Sequence, residues 1–461
     1  LKVLIFLGIN KGKLIFFIFK TKAVDIFLKP FYYKDYVYIV RGTVYIKTFH
    51  EEEWIMKKSM KKLLSVTMAV AMAASLTACG GKAPESSSSA AESNASGDKT
   101  EAPKTSGEGS FKIGGIGPIT GSTAIYGQAV MNGAELAINE INANGGINGA
   151  QIEYNFQDDE GDTEKAVNAY NTLKDWGMQM LVGTVTSAPC IAVGAESSND
   201  NMFQLTPSGS AVDCTKFENQ FRVCFSDPNQ GAASAQYIGE NKLATKVAVI
   251  YDSSDVYSTG IHDKFVSEAG SQGIEVVADE AFTADNNTNF SVQLQKAQDS
   301  GAELVFLPIY YSQAALILAQ AKQMGFETAF FGCDGLDGLL TVENFDKTLA
   351  ENVMLLTPFA ADATDDLTQK FVTSYKEKYK ETPNQFAADA YDAIYAIKAA
   401  SEKSALTPDM DASAICDALK KSMTEITING LTGENMKWTA DGEPDKAPKA
   451  VKIVNGVYTA M

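Results

Sequence analysis

The chain has 461 residues and a formal net charge of −18, long enough for two lobes with real cores. So acidic a surface argues against nucleic acid and anionic lipid headgroups as partners, since both repel it. Only two histidines are present, which argues against a Ser-His-Asp triad or a histidine-rich metal site.

Residues 1–55 are rich in Phe, Ile, Lys and Tyr, with no settled period. Those residue types have AT-rich codons, and Glu51-Glu52-Glu53, with purine-rich codons, lies just ahead of Met56. The expectation is an upstream leader carried into the reading frame; the alternative is a genuine extension whose apolar runs enter a membrane. Residues 56–78 read as an export signal. Lys57, Lys58, Lys61 and Lys62 form its positive start, and the apolar stretch from Leu63 to about Ala74 is too short to span a bilayer. Leu76-Thr77-Ala78-Cys79 matches a lipobox, in which the Cys79 thiol receives a lipid. The stretch 79–109 that follows is Ser-, Ala-, Glu- and Gly-rich with almost nothing apolar, so it reads as a tether that cannot bury enough surface to fold.

Beyond Cys79 five cysteines remain: Cys190, Cys214, Cys224, Cys333 and Cys416. They have no C-x-x-C spacing, so no zinc or redox motif is indicated. Cys214 and Cys224 are close enough in sequence to pair; five buried thiols are the alternative.

From Phe111 onward short apolar strands alternate with amphipathic helices. Strands are expected at 111–116, 152–158, 180–183, 203–206, 246–251, 275–280, 304–308, 329–332 and 353–357. Helices are expected at 129–144, 163–176, 258–271, 290–300, 313–324, 366–379 and 384–403. Such βαβ units predict an α/β fold with two doubly wound parallel-sheet lobes and ligand-holding loops beyond the carboxyl ends of the strands. The segment 428–461 reads as two strands with a turn at Asp441-Gly442.

The chemistry of those loops points to holding a molecule without transforming it. Discounting His50 in the N-terminal segment leaves His262, on a helix, which reads as a solvated or capping residue. Gly115-Ile116-Gly117 lacks the third glycine of a dinucleotide loop, and no G-x-x-x-x-G-K-[ST] run exists. Asp158-Asp159-Glu160-Gly161-Asp162 lacks calcium-loop spacing and reads as a solvated turn. No catalytic residue, metal ligand or cofactor is expected.

The run Gly117-Pro118-Ile119-Thr120-Gly121, then Tyr126-Gly127, Asn132-Gly133-Ala134, Ala137 to Asn142 and Gly145-Gly146-Ile147-Asn148-Gly149, resembles the type I periplasmic binding proteins. More narrowly it resembles the leucine/isoleucine/valine-binding branch, over about 111–458. The resemblance implies a lipid-anchored, extracytoplasmic subunit of an ABC importer that captures an aliphatic amino acid and delivers it to a permease. Its lobes would be about 110–231 with 357–428, and 232–356 with 429–461, joined by three crossings. Small amides or aromatic carboxylates as ligands, or a sensory role, are the alternatives.

For the site, the resemblance implies that Ser187 and Ser210 hold the ligand carboxylate and that the Gly209 carbonyl accepts from its ammonium. Asp334, where relatives often have Glu, would pair with the ammonium. Tyr126, Tyr257 and Tyr310 would line the pocket. On the residues alone, both serines also serve as caps of helices they begin, and Asp334 as a turn residue before Gly335.

Overall fold

A computed structural model describes residues 2–10, 13–21, 35–40, 43–48 and 109–461. The chain divides into two compact units, Leu1–Lys99 and Thr100–Met461. In the first, β1 (Lys2–Asn10) pairs antiparallel with β2 (Lys13–Thr21), and β3 (Asp35–Val40) with β4 (Thr43–Thr48). The signal at 56–78, Cys79 and the tether as far as residue 108 lie outside the described residues.

The second unit opens with β5 (Ser110–Gly117), α1 (Ala124–Ala143), β6 (Gln151–Asp158), α2 (Thr163–Trp176) and β7 (Met180–Gly183). Next come α3 (Ser187–Asn199), β8 (Phe203–Thr206) and β9 (Gln220–Arg222), completing a parallel sheet of order β6-β5-β7-β8-β9. The same pattern then repeats. It runs through α4 (Asp227–Glu240), β10 (Lys246–Asp252), α5 (Val256–Ala269), β11 (Glu275–Phe282), α6 (Ser291–Asp299) and β12 (Leu304–Leu307). It closes with α7 (Tyr311–Met324), β13 (Ala329–Gly332) and β14 (Met354–Thr357). The second sheet has the order β11-β10-β12-β13-β14, all parallel, extended by the antiparallel strands β15 (Lys449–Val454) and β16 (Val457–Ala460). Helices α8 (Asp366–Tyr379), α9 (Gln385–Lys403) and α10 (Ala412–Met423) return to the first lobe, where α8 and α9 pack on α1.

Each lobe is thus a doubly wound sheet whose second strand lies beside the first, on the side away from the third. The strand order reverses between β5 and β7 in one lobe and between β10 and β12 in the other. At that point the loops on either side diverge and leave a crevice. The strands β7, β8, β12 and β14 are buried along their whole length, as expected where helices cover both faces.

Several expectations need correction. The first crossing lies near 223–226, ahead of α4, because α4 packs along α5 of the second lobe. The segment 429–444 stays with the first lobe: the Trp438 indole donates to the Arg222 carbonyl at 2.7 Å, and Leu431 N–H to Asp392 at 2.8 Å. The C-terminal hairpin turns at Asn455-Gly456, both with positive φ, whereas Asp441-Gly442 turns only the single bridge Trp438–Pro444. Cys214 and Cys224 are unpaired, as are Cys190, Cys333 and Cys416, and all five are buried. His262 is buried, stacked on Tyr251 at 3.7 Å and bridging Asp263 and Asp279 at 2.8 Å each. The acidic run is only partly solvated. Asp158 accepts from Ile119 N–H and Thr120 Oγ1, while Asp159 is fully buried.

Candidate functional site

Two loops of the first lobe are sewn together at the carboxyl ends of β7 and β8. Thr206 Oγ1 donates to the Thr184 carbonyl at 2.6 Å and accepts from Gly209 N–H at 2.7 Å. Ser208 Oγ donates to the Val185 carbonyl at 2.7 Å. This fixes Ser187, the first residue of α3, against the loop that follows β8. Its hydroxyl oxygen accepts from two successive amides, Ser210 N–H at 3.2 Å and Ala211 N–H at 3.1 Å. Consecutive N–H groups aimed at one oxygen, beside the positive end of a helix, make an anion cradle. The Ser187 hydroxyl proton is free to be donated to a carboxylate. Contrary to the expectation from sequence, Ser210 does not begin an α-helix; only a short 3-10 turn, Val212–Thr215, follows it.

The second lobe supplies the opposite charge. The Asp255 carboxylate caps α5 by accepting from Tyr257 N–H at 3.0 Å, which sets Tyr257 in the first helical turn. Tyr257 Oη donates to Asp334 Oδ1 at 2.8 Å and accepts from Gly335 N–H at 2.9 Å. Asp334 N–H donates to Gln230 Oε1 at 3.2 Å. No room exists for a side chain at Gly335, where a Cβ would stand 2.6 Å from the Tyr257 hydroxyl. Burial pushes Asp334 up to about 6, against the hydrogen bond from Tyr257 that favours its charged form. A buried carboxylate with this pKa is readily ionised by an incoming cation.

Aromatic rings form the remaining wall. Tyr257 stacks on Tyr310 with centroids 4.8 Å apart. Tyr126, from the first turn of α1, meets Tyr310 edge-on at 5.7 Å and lies 4.2 Å from Phe386 of α9. Its hydroxyl donates to the Gly335 carbonyl, a contact made directly between the two lobes. Gln385 makes another, its side-chain amide donating to the Asp334 carbonyl at 3.1 Å.

Six of the expected residues, Tyr126, Ser187, Ser210, Tyr257, Tyr310 and Asp334, line one cavity between the lobes. Gly209 does not. Its carbonyl accepts from Arg222 Nη1 at 3.1 Å. Val185, Thr186, Ser208, Gly335 and Phe386 also line the cavity and were missed in the sequence. Phe386 sits in the first turn of a long amphipathic helix, where an apolar residue reads as core. Asp227, at the start of α4, was missed as well. It is 1% exposed, neither carboxylate oxygen has a hydrogen-bond partner, and burial holds its pKa well above the usual range.

The cavity measures about 10 Å³, at the lower bound for a single water. The lobes are therefore closed, and a molecule of amino-acid size enters only when they part or when Tyr126, Tyr310 and Phe386 move. Among the described residues no group of three or more His, Cys, Asp or Glu converges as a metal site, and no helix is long and apolar enough to cross a membrane.

The periplasmic binding protein family matches residues 110–456. Leu/Ile/Val-binding protein homolog 3 of Brucella melitensis is 32% identical over 330 residues, which are 69% of this chain and 86% of that protein. The leucine-, isoleucine-, valine-, threonine- and alanine-binding protein of Pseudomonas aeruginosa is 28% identical, over 70% and 85% respectively. A branched-chain amino acid transporter substrate-binding protein of Streptococcus pneumoniae, solved with isoleucine, superposes with a TM-score of 0.69 at 30% identity, over 76% of this chain and 98% of that one. With this match across its two doubly wound lobes, the chain belongs to the periplasmic binding protein family, as a type I member of the branched-chain amino acid transporter group.

Proposed function

We propose that the protein is the substrate-binding subunit of an ABC importer and that its ligand is an aliphatic α-amino acid, with leucine, isoleucine and valine as first candidates. One observation carries the reading. An anion cradle at Ser187 on the first lobe and a buried carboxylate at Asp334 on the second face one cavity, and rings close its remaining side. That arrangement complements a zwitterion with an apolar body. The names of the Brucella and Pseudomonas relatives and the isoleucine held by the Streptococcus protein support the choice of side chain.

In this mechanism the open first lobe takes the carboxylate on the Ser187 hydroxyl, whose oxygen the amides of Ser210 and Ala211 hold in place. The second lobe then swings in, bringing Asp334 to the ammonium and Tyr257, Tyr310 and Tyr126 around the side chain. Because the second-lobe contacts exist only in the closed form, the ligand stabilises closure by the energy of those contacts. The closed form is the one that a permease would recognise. No residue is assigned a catalytic role. Cys79 would carry the lipid that holds the protein to the outer face of the cytoplasmic membrane, with 80–109 as its tether.

A thermal-shift screen against the proteinogenic amino acids, small amides and aromatic acids tests the reading. A ligand present at about 100 times its Kd adds roughly 2.7 kcal/mol, so aliphatic amino acids should raise the midpoint clearly. A rise with amides or aromatic acids alone would overturn the ligand.

A further inference from the structure

Arg222 ends β9, is fully buried, and does not line the cavity. An arginine costs much to bury unless its donors are satisfied, and here those of Nη1 and Nη2 go to one loop, while Nε has no hydrogen-bond partner among the described residues. Nη1 donates to the Gly209 carbonyl at 3.1 Å. Nη2 donates to the carbonyls of Ala211 at 3.0 Å and Val212 at 3.3 Å, and to Thr215 Oγ1 at 3.1 Å. The peptide whose carbonyl belongs to Gly209 is the one whose N–H belongs to Ser210, half of the cradle around Ser187 Oγ. A positive charge on the carbonyl end of a peptide polarises its N–H and strengthens what that N–H donates. The next peptide is treated the same way, since the Ser210 carbonyl accepts from Asp227 N–H at 2.9 Å, at the positive end of α4.

Arg222 also ties this loop to the approach to the third crossing. Its own N–H donates to the Gly442 carbonyl at 3.0 Å, its carbonyl accepts from the Trp438 indole, and its Nε lies 3.1 Å from Glu443 Oε1. Glu443, with its side chain 32% exposed, is the one carboxylate that forms an ion pair with this guanidinium among the described residues.

We propose that Arg222 is a positioning residue for carboxylate recognition. Without touching the ligand, it holds the Gly209–Val212 loop in place and polarises the amides that donate to Ser187 Oγ, which strengthens the Ser187 hydroxyl as a donor to the ligand's carboxylate, and Glu443 attenuates that effect. The proposal rests on the reading that Ser187 and Ser210 face a carboxylate.

Two variants and a pair of ligands test it, with Kd measured by calorimetry for leucine and for leucinamide, which keeps the ammonium and lacks the anion. Arg222→Met should weaken leucine at least tenfold and leave leucinamide within twofold. If that variant folds poorly, Glu443→Gln, at a partly exposed position, gives the opposite sign. Removing the counter-charge should tighten leucine two- to fivefold with leucinamide unchanged. Equal loss of both ligands in Arg222→Met, or unchanged or weakened leucine binding in Glu443→Gln, would overturn the proposal. Should the unaltered protein bind benzoate and not leucine, the amino-acid reading fails by itself, and the same variants with benzoate and benzamide still decide the role of Arg222.

Discussion

Asp334 is the residue on which the amino-acid reading turns, and its surroundings give it a pH signature. Burial raises its pKa to about 6 in the free, closed protein, and a bound ammonium would lower it. Affinity for a zwitterion should therefore be constant above about pH 6 and fall as pH drops through that value. Asp334→Asn should abolish this dependence and weaken leucine by about 3 kcal/mol, or two powers of ten in Kd, because the ligand's ammonium would be buried without its counter-charge. Calorimetry between pH 5 and 8 checks both. The six candidate residues that line the cavity were placed in the sequence by the family resemblance, Tyr126 in the first turn of α1 and the others in segments that follow strands. Nothing in the neighbourhood of Gly209 shows that Arg222, from the next strand, will donate to its carbonyl. Asp227 escaped notice because the chain around Phe225-Ser226-Asp227-Pro228 reads only as a turn.

Between elements, α1 packs closely against α9 in the first lobe. A Cβ added at Gly133 would stand 2.1 Å from the Ala387 carbonyl oxygen, a backbone atom of α9 that cannot turn aside. Gly133→Ala should thus cost about 1–3 kcal/mol of stability by overpacking, seen as a lower urea midpoint with an unchanged slope. The longer helices were legible from their period: α2 and α8 run over the expected residues. The elements that escaped had weak signals. Strand β9 is three residues, Gln220-Phe221-Arg222, with no apolar run. Helix α4 opens with Asp-Pro-Asn, which reads as a turn, though Pro is well suited to the first helical turn. The hairpin at Asn455-Gly456 was overlooked in favour of Asp441-Gly442 because both dipeptides suit a tight turn, and only the pairing of β15 with β14 distinguishes them.

Across the whole molecule several carboxylates are buried, Asp334 and Asp337 against Gln385 where the lobes meet and Asp389 beside Lys446 at 3.1 Å. Burial raises Asp334 to about 6, and Asp337 and Asp389 to about 7 each, from roughly 3.9 in an unfolded chain. A raised carboxylate pKa favours the folded state while the group is protonated. That contribution is complete below about pH 4 and is lost as pH rises through 6 to 7. Asp158 works in a lower window. Burial opposes its charge, but hydrogen bonds from Thr120 and the Glu160 and Ile119 amides hold its pKa below the usual value, so its contribution is lost only as pH falls below about 4. The ligand-free protein should therefore melt at a higher temperature at pH 5 than at pH 8, and a saturating zwitterion should narrow the gap by keeping Asp334 ionised; scanning calorimetry with and without ligand checks this. The repeated strand order that creates the crevice was legible as alternating strands and helices. Where the chain crosses between lobes was not, because the crossings are set by packing of α4 on α5 and of Trp438 on Arg222. The most direct test of the account is calorimetric titration of the protein with leucine, isoleucine and valine at pH 7.5. Saturable binding with one site per chain is the predicted result, and no binding of any aliphatic amino acid at millimolar concentration would contradict it.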